Sequence, residues 1–92
     1  MNIRVYYSSR AEGNAAVNQQ HLFHILTHLH ITHHRIDIAT DGAFFLREHS
    51  PLGIEVPQVF DQRRFLGGWR DFEGAVRAER LAEFLCGRIM SL

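Results

Sequence analysis

Residues 56–72 read Val56-Pro57-Gln58-Val59-Phe60-Asp61-Gln62-Arg63-Arg64-Phe65-Leu66-Gly67-Gly68-Trp69-Arg70-Asp71-Phe72. Gln58-Val59-Phe60 predicts a brief strand, Asp61-Gln62 a tight turn, and Arg63 to Leu66 the return strand of a hairpin. Gly67-Gly68 is expected to break that strand. Asp71 is then a good N-cap for a last helix, with Phe72, Val76, Leu81, Phe84 and Leu85 on its apolar face and Gly87 as its stop.

Upstream, Ile3, Val5 and Tyr7 alternate with Arg4 and Tyr6, the period-two pattern of a first strand ending at Ser8-Ser9. From Asn14 the period changes to that of a helix. Ala15, Leu22, Ile25, Leu26 and Leu29 share one side, Asn14 is the expected cap, and the helix should run to about His30. Ile31 to Ile38 predicts a second strand. Asp41-Gly42 opens a short helix through Phe44, Phe45 and Leu46, which Ser50-Pro51 closes, since the residue before a proline leaves the α region. The predicted order is β-α-β-α-β-β-α, an α/β chain with a four-stranded mixed sheet flanked by helices.

At 92 residues the expectation is one domain over 1–92, and 46% apolar residues suffice for a core without staples. Cys86 is alone, so disulfides, a CxxC redox pair and a zinc site built of thiolates are excluded. All ten basic residues are arginine, balanced by ten acidic ones. Schiff-base chemistry on a lysine is therefore excluded, and the neutral balance, with no basic stripe, argues against nucleic acid. The N-terminus lacks the features of a signal peptide. The longest apolar run, Ala43 to Leu46, falls far short of the roughly 20 residues of a membrane span. We expect a soluble, cytoplasmic protein without membrane contact, able to diffuse into the nucleus.

The topology is that of the thioredoxin fold, and Val56-Pro57-Gln58-Val59-Phe60 followed by Phe65 to Phe72 resembles the C-terminal half of glutaredoxins. The resemblance implies a cis Val56-Pro57 bond. It also implies that the Val56 backbone pairs with the cysteinyl part of glutathione, while Gly68 and Asp71 hold the γ-glutamyl end. An exposed strand edge and a helix start suit such a ligand, although Asp71 also reads as a plain helix cap and Gly67-Gly68 as a plain turn. Where glutaredoxins carry their nucleophilic cysteine, this chain reads Ser8-Ser9-Arg10-Ala11-Glu12-Gly13-Asn14, with no thiol at Ala11 or Asn14. Ser8 and Ser9 have no base or orienting carboxylate at motif spacing. Cys86, late in the last helix beside Phe84 and Leu85, is expected to be buried and inert.

A glutaredoxin relative without its cysteines resembles the SH3-domain-binding glutamic-acid-rich-like family. The likeness runs through Ile3-Arg4-Val5-Tyr6, Phe45-Leu46-Arg47-Glu48-His49-Ser50-Pro51, Pro57-Gln58-Val59-Phe60, and Phe72, Ala75 and Phe84-Leu85. It implies a non-catalytic, redox-inactive adapter that binds protein partners; we expect a monomer or homodimer without a cofactor. Pro51 and Pro57 are isolated and form no PxxP, so the likeness does not extend to SH3 binding, which needs a polyproline II segment; a Glu-rich tail is also absent. The expected ligand groove, for a peptide or for glutathione, comprises Val56, Pro57, Gly67, Gly68, Trp69 and Asp71, with Trp69 and Tyr6 as exposed aromatics. Glutathione binding is the alternative to the adapter reading, because Gly67-Gly68 and Asp71 stay close to glutaredoxins.

Six of the seven histidines lie between His21 and His34, a segment that gains positive charge as pH drops toward 5. His21, His24 and His28 fall within about 60° of one another on a helix, away from the apolar stripe. They read as a solvated polar face or as ligands of zinc, nickel or copper, although a structural site wants four ligands.

Overall fold

Gln58–Asp61 (β3) and Arg64–Gly68 (β4) form an antiparallel hairpin. Ile3–Tyr7 (β1) lies antiparallel to the other side of β3 and parallel to His34–Asp37 (β2), giving the sheet order β2-β1-β3-β4. The helices are Gly13–His28 (α1), Ala43–His49 (α2), Trp69–Arg77 (α3) and Leu81–Leu85 (α4). The computed structural model describes residues 1–87.

Strand alternation divides the core in two. Ile3, Val5 and Val59 point to one face, where Leu22 and Leu26 of α1, Phe72 and Ala75 of α3, and Phe84 and Leu85 of α4 bury them. Tyr6 and Phe60 point to the other face and meet Leu46 of α2, with Ile36, Ile38, Phe45 and Phe65 around them. Tyr6 is only 2% exposed, stacked on Phe45 at 5.5 Å and edge-on to Phe60 at 5.2 Å. It is therefore a core residue and not the exposed aromatic expected, because α2 covers the face that strand alternation alone would leave wet. Burial pushes the Tyr6 phenol above its ordinary value, with Arg4 opposing the shift.

Several boundaries differ from expectation. β2 is four residues rather than eight, with Ile31 to His33 in the connection. Helix α1 starts two residues earlier, with Glu12 and not Asn14 in the N-cap position and no side-chain capping bond. Leu29 lies past its end and is 51% exposed. There the chain reverses through a Schellman motif, with His30 at φ 58° and the N–H groups of His30 and Ile31 donating to Thr27 and Leu26 carbonyls at 3.0 and 2.9 Å.

The expected last helix is two helices, and the same device separates them. Glu79 takes φ 57°, and the N–H groups of Glu79 and Arg80 donate to Val76 and Ala75 carbonyls at 3.1 and 2.8 Å. A non-glycine residue in the left-handed region carries no sequence signal of a stop. The break turns α4 so that Phe84 and Leu85 face the core while Cys86, its C-cap, is exposed. The expectation of a buried thiol is thereby overturned.

Gly67-Gly68 does not break β4. The two residues end it, paired with Val59 and Gln58. Their lack of a side chain serves close packing: a Cβ on Gly67 would lie 2.7 Å from Asp71 Cβ and 2.8 Å from Phe84 Cε1, and one on Gly68 2.7 Å from Leu52 Cδ1. Asp71 is not the N-cap of α3 but its third residue, and its carboxylate accepts a 3.1 Å hydrogen bond from the N–H of Gly68, the capping residue. Gly67→Ala should destabilise the fold by about 1–3 kcal/mol through overpacking. Gly74→Ala, in α3 with nothing within 4 Å of the new methyl, should stabilise it by about 0.5–1 kcal/mol. Urea denaturation of the two variants checks both signs.

Candidate functional site

The carboxyl end of β1 faces an open groove of about 380 Å³, lined by Ala15 and Asn18 of α1, Leu52, Glu55 and Val56 of the loop before β3, and Gly68, Trp69, Arg70 and Asp71. Of the expected groove residues, Val56, Gly68, Trp69 and Asp71 line it together. Pro57 and Gly67 are buried behind them, where they hold the wall rather than form it. The Val56-Pro57 bond is cis, as the resemblance implies.

A buried amide shapes the loop that carries Val56. Gln58 is fully buried; its Nε2 donates to the carbonyls of Gly53 at 2.9 Å and Glu55 at 2.6 Å, and its Oε1 accepts from the Ser50 hydroxyl. The Ser50 oxygen in turn accepts from the Leu52 N–H at 3.0 Å. One side chain thus fixes residues 50–55 and brings Leu52 and Glu55 to the rim. Among the described residues neither the N–H nor the C=O of Val56 has a hydrogen-bond partner, so a half-buried residue of the groove lining keeps a free donor and a free acceptor.

Opposite, a second buried amide fixes the β1–α1 loop. Gln19 Nε2 donates to the Ser8 carbonyl at 2.6 Å, while its Oε1 accepts from the Ser8 N–H at 3.2 Å. Ser9 and Ala39 both donate their N–H groups to Asp37 Oδ1, each at 3.0 Å. These bonds, led by that of the Ser9 hydroxyl, hold the Asp37 carboxyl below the usual carboxylate range. Ser8 Oγ accepts from the Arg10 N–H at 3.1 Å. The loop is a network of turn hydrogen bonds ending at half-buried Ala11, with no thiol.

Cys86 lies at the other end of the sheet. It borders an apolar hollow with Met1, Leu29, Ile31, Leu81 and Leu85, beside the starts of β1 and β2, whereas the groove lies past the end of β1. The sulfur is accessible but remote from the groove.

Asn18, Leu52, Glu55 and Arg70 were not singled out from the sequence. Asn18 is a polar residue on a helix flank, Leu52 and Glu55 sit in a loop without periodicity, and Arg70 follows Trp69 without a motif of its own. The loop tied down by Gln58 brings Leu52 and Glu55 to the groove, while α1 and α3 bring Asn18 and Arg70. His21, His24 and His28 are all exposed. The His21 ring lies against Trp69 at 5.4 Å, and His24 stacks on His28 at 6.2 Å. Among the described residues no three His, Cys, Asp or Glu side chains converge as a metal site.

The profile of the family described as SH3-binding, glutamic acid-rich protein matches residues 1–87, and the chain belongs to that family. The likeness read from Ile3 to Leu85 is thereby borne out. No curated protein sequence matches the chain. Among solved structures it is similar to the actin interacting protein Aip5 of C. albicans, at TM-score 0.77 and 22% identity over 91% of this chain and 87% of that one. It is also similar to a wheat glutaredoxin, at TM-score 0.70 and 19% identity over 94% and 80%, and to a buckwheat glutaredoxin-glutathione complex, at TM-score 0.64 and 19% identity over 96% and 81%. These likenesses establish a glutaredoxin-like form of the thioredoxin fold.

Two outcomes follow from the amide network. Gln58→Leu should cost about 1–3 kcal/mol by leaving polar partners unmatched, and should speed hydrogen exchange selectively in residues 50–56. The depressed Asp37 value means that its contribution is present above about pH 4 and lost as pH falls through the folded value. The Ser9 amide resonance should therefore move below about pH 4, and stay still in Asp37→Asn.

Proposed function

We propose that this protein is a non-catalytic, glutaredoxin-like interaction module, working in the cytoplasm with access to the nucleus, that binds an extended segment of a partner protein in the groove beside Val56. The observation that carries this reading is the combination of an open groove bearing unpaired backbone groups with a β1–α1 loop that has Ala11 where glutaredoxins carry a thiol. Thiol-disulfide exchange needs a thiolate within reach of the bound substrate, and Cys86 is at the wrong end of the sheet. An extended segment pairs with Val56 as a strand adds to a sheet edge. Trp69 and Leu52 supply apolar contact, and Arg70 and Glu55 offer charges of both signs. Actin is the partner suggested by the name of the Aip5 relative, and co-sedimentation with filamentous actin tests it.

The second reading is a module that binds glutathione without chemistry, favoured by Val56, Gly68 and Asp71 meeting in one groove whose volume suits a tripeptide. Amide NMR during a glutathione titration separates the two. The adapter reading predicts no shifts up to millimolar ligand, and shifts confined to Val56, Gly68 and Asp71 would establish the second. An insulin-reduction assay should read blank. Turnover there would mean that Cys86 is a working nucleophile and would overturn both readings.

A further inference from the structure

On α1 the inner face is given to Leu22 and Leu26, which are fully buried, and to Gln19. The outer face carries His24 and His28, four residues apart and hence one above the other. Their rings are 15° from parallel with centroids 6.2 Å apart. Both are exposed, and neither has a hydrogen-bond or ion-pair partner among the described residues.

The contrast with other histidines is sharp. His33 binds the Ile31 carbonyl through Nδ1 at 2.8 Å and accepts from Arg35 through Nε2 at 3.2 Å. His49 binds the Phe45 carbonyl through Nδ1 at 3.1 Å and meets Arg63 through Nε2 at 3.4 Å. His21 is set against Trp69. Arg35 is held by Thr27, His33 and the Phe23 ring.

We propose that His24 and His28 form a two-imidazole chelate for a divalent transition-metal ion of borderline softness, Zn²⁺, Ni²⁺ or Cu²⁺. Two imidazoles at i and i+4 on one helix face present nitrogens to a single ion, and imidazole suits these three metals. Because among the described residues no three ligating side chains converge, water fills the remaining coordination positions. The exposed rings are free to tilt toward each other about their side-chain torsions. A bound ion spans the last turn of α1, next to the reversal through His30, and stabilises the folded state by mass action.

Isothermal titration with Zn²⁺ and Ni²⁺, each alone, tests the site on the whole chain. The expected result is one ion per protein, with the heat removed by His24→Gln or by His28→Gln and unchanged by His21→Gln. These are exposed helix positions, so the variants keep the fold. Substoichiometric Cu²⁺ gives a second readout, broadening the amide resonances of His24 and His28 first. Heat that persists in the His24→Gln/His28→Gln double variant, no heat in the wild-type chain, or broadening centred on Met1 or His33 would each overturn the proposal.

Discussion

The side-chain amide of Gln58 sits where the sheet and the groove meet. Its backbone pairs with Tyr6 of β1 and Gly68 of β4, while its side chain holds the 50–55 loop through Ser50, Gly53 and Glu55. A fully buried amide is tolerated only when its polar atoms are matched, so loop and strand fix each other. From that match follow the places of Leu52 over Gly68 and of Glu55 and Val56 in the groove lining. Gln19 repeats the device across the groove by clamping both backbone groups of Ser8. The loops on either side of the groove are thus tied by buried polar side chains, and the rest of its lining comes from α1, from the end of β4 and from the start of α3.

Much of the fold was legible because its signals are local. The alternation of Ile3, Val5 and Tyr7, the helical spacing of Leu22 and Leu26, and the Gly42 and Ser50-Pro51 limits of α2 each reflect one element's own geometry. The errors came where a residue's role depends on a distant neighbour. Gly67-Gly68 read as a strand breaker, yet the pair closes β4 because Asp71, Phe84 and Leu52 leave no room for a side chain. His30 and Glu79 stop helices in a conformation that glycine usually marks. Tyr6 read as exposed because α2 lies far from it in sequence, and Cys86 read as buried because the turn at Glu79 was invisible.

The groove shows the same division. Val56, Gly68, Trp69 and Asp71 were found because they belong to one continuous run next to a proline. The wall facing them comes from loop residues without pattern and from a helix flank, and only the folded chain brings them into one site.

On the reading proposed above, the groove has a glutaredoxin-like frame and no nucleophile beside it. Ala11 precedes the first turn of α1, where a helix N-terminus favours a thiolate. The direct measurement is the rate of mixed-disulfide formation with glutathione disulfide in an Ala11→Cys/Cys86→Ser variant, set against the unaltered chain. The new thiolate attacks one sulfur, releases glutathione thiolate and leaves a protein-glutathione disulfide. If only the nucleophile is missing, the helix N-terminus makes the new thiol the better nucleophile whether or not glutathione binds in the groove, and the variant reacts faster than the unaltered chain does through Cys86. A rate no greater than that of Cys86 would contradict the account.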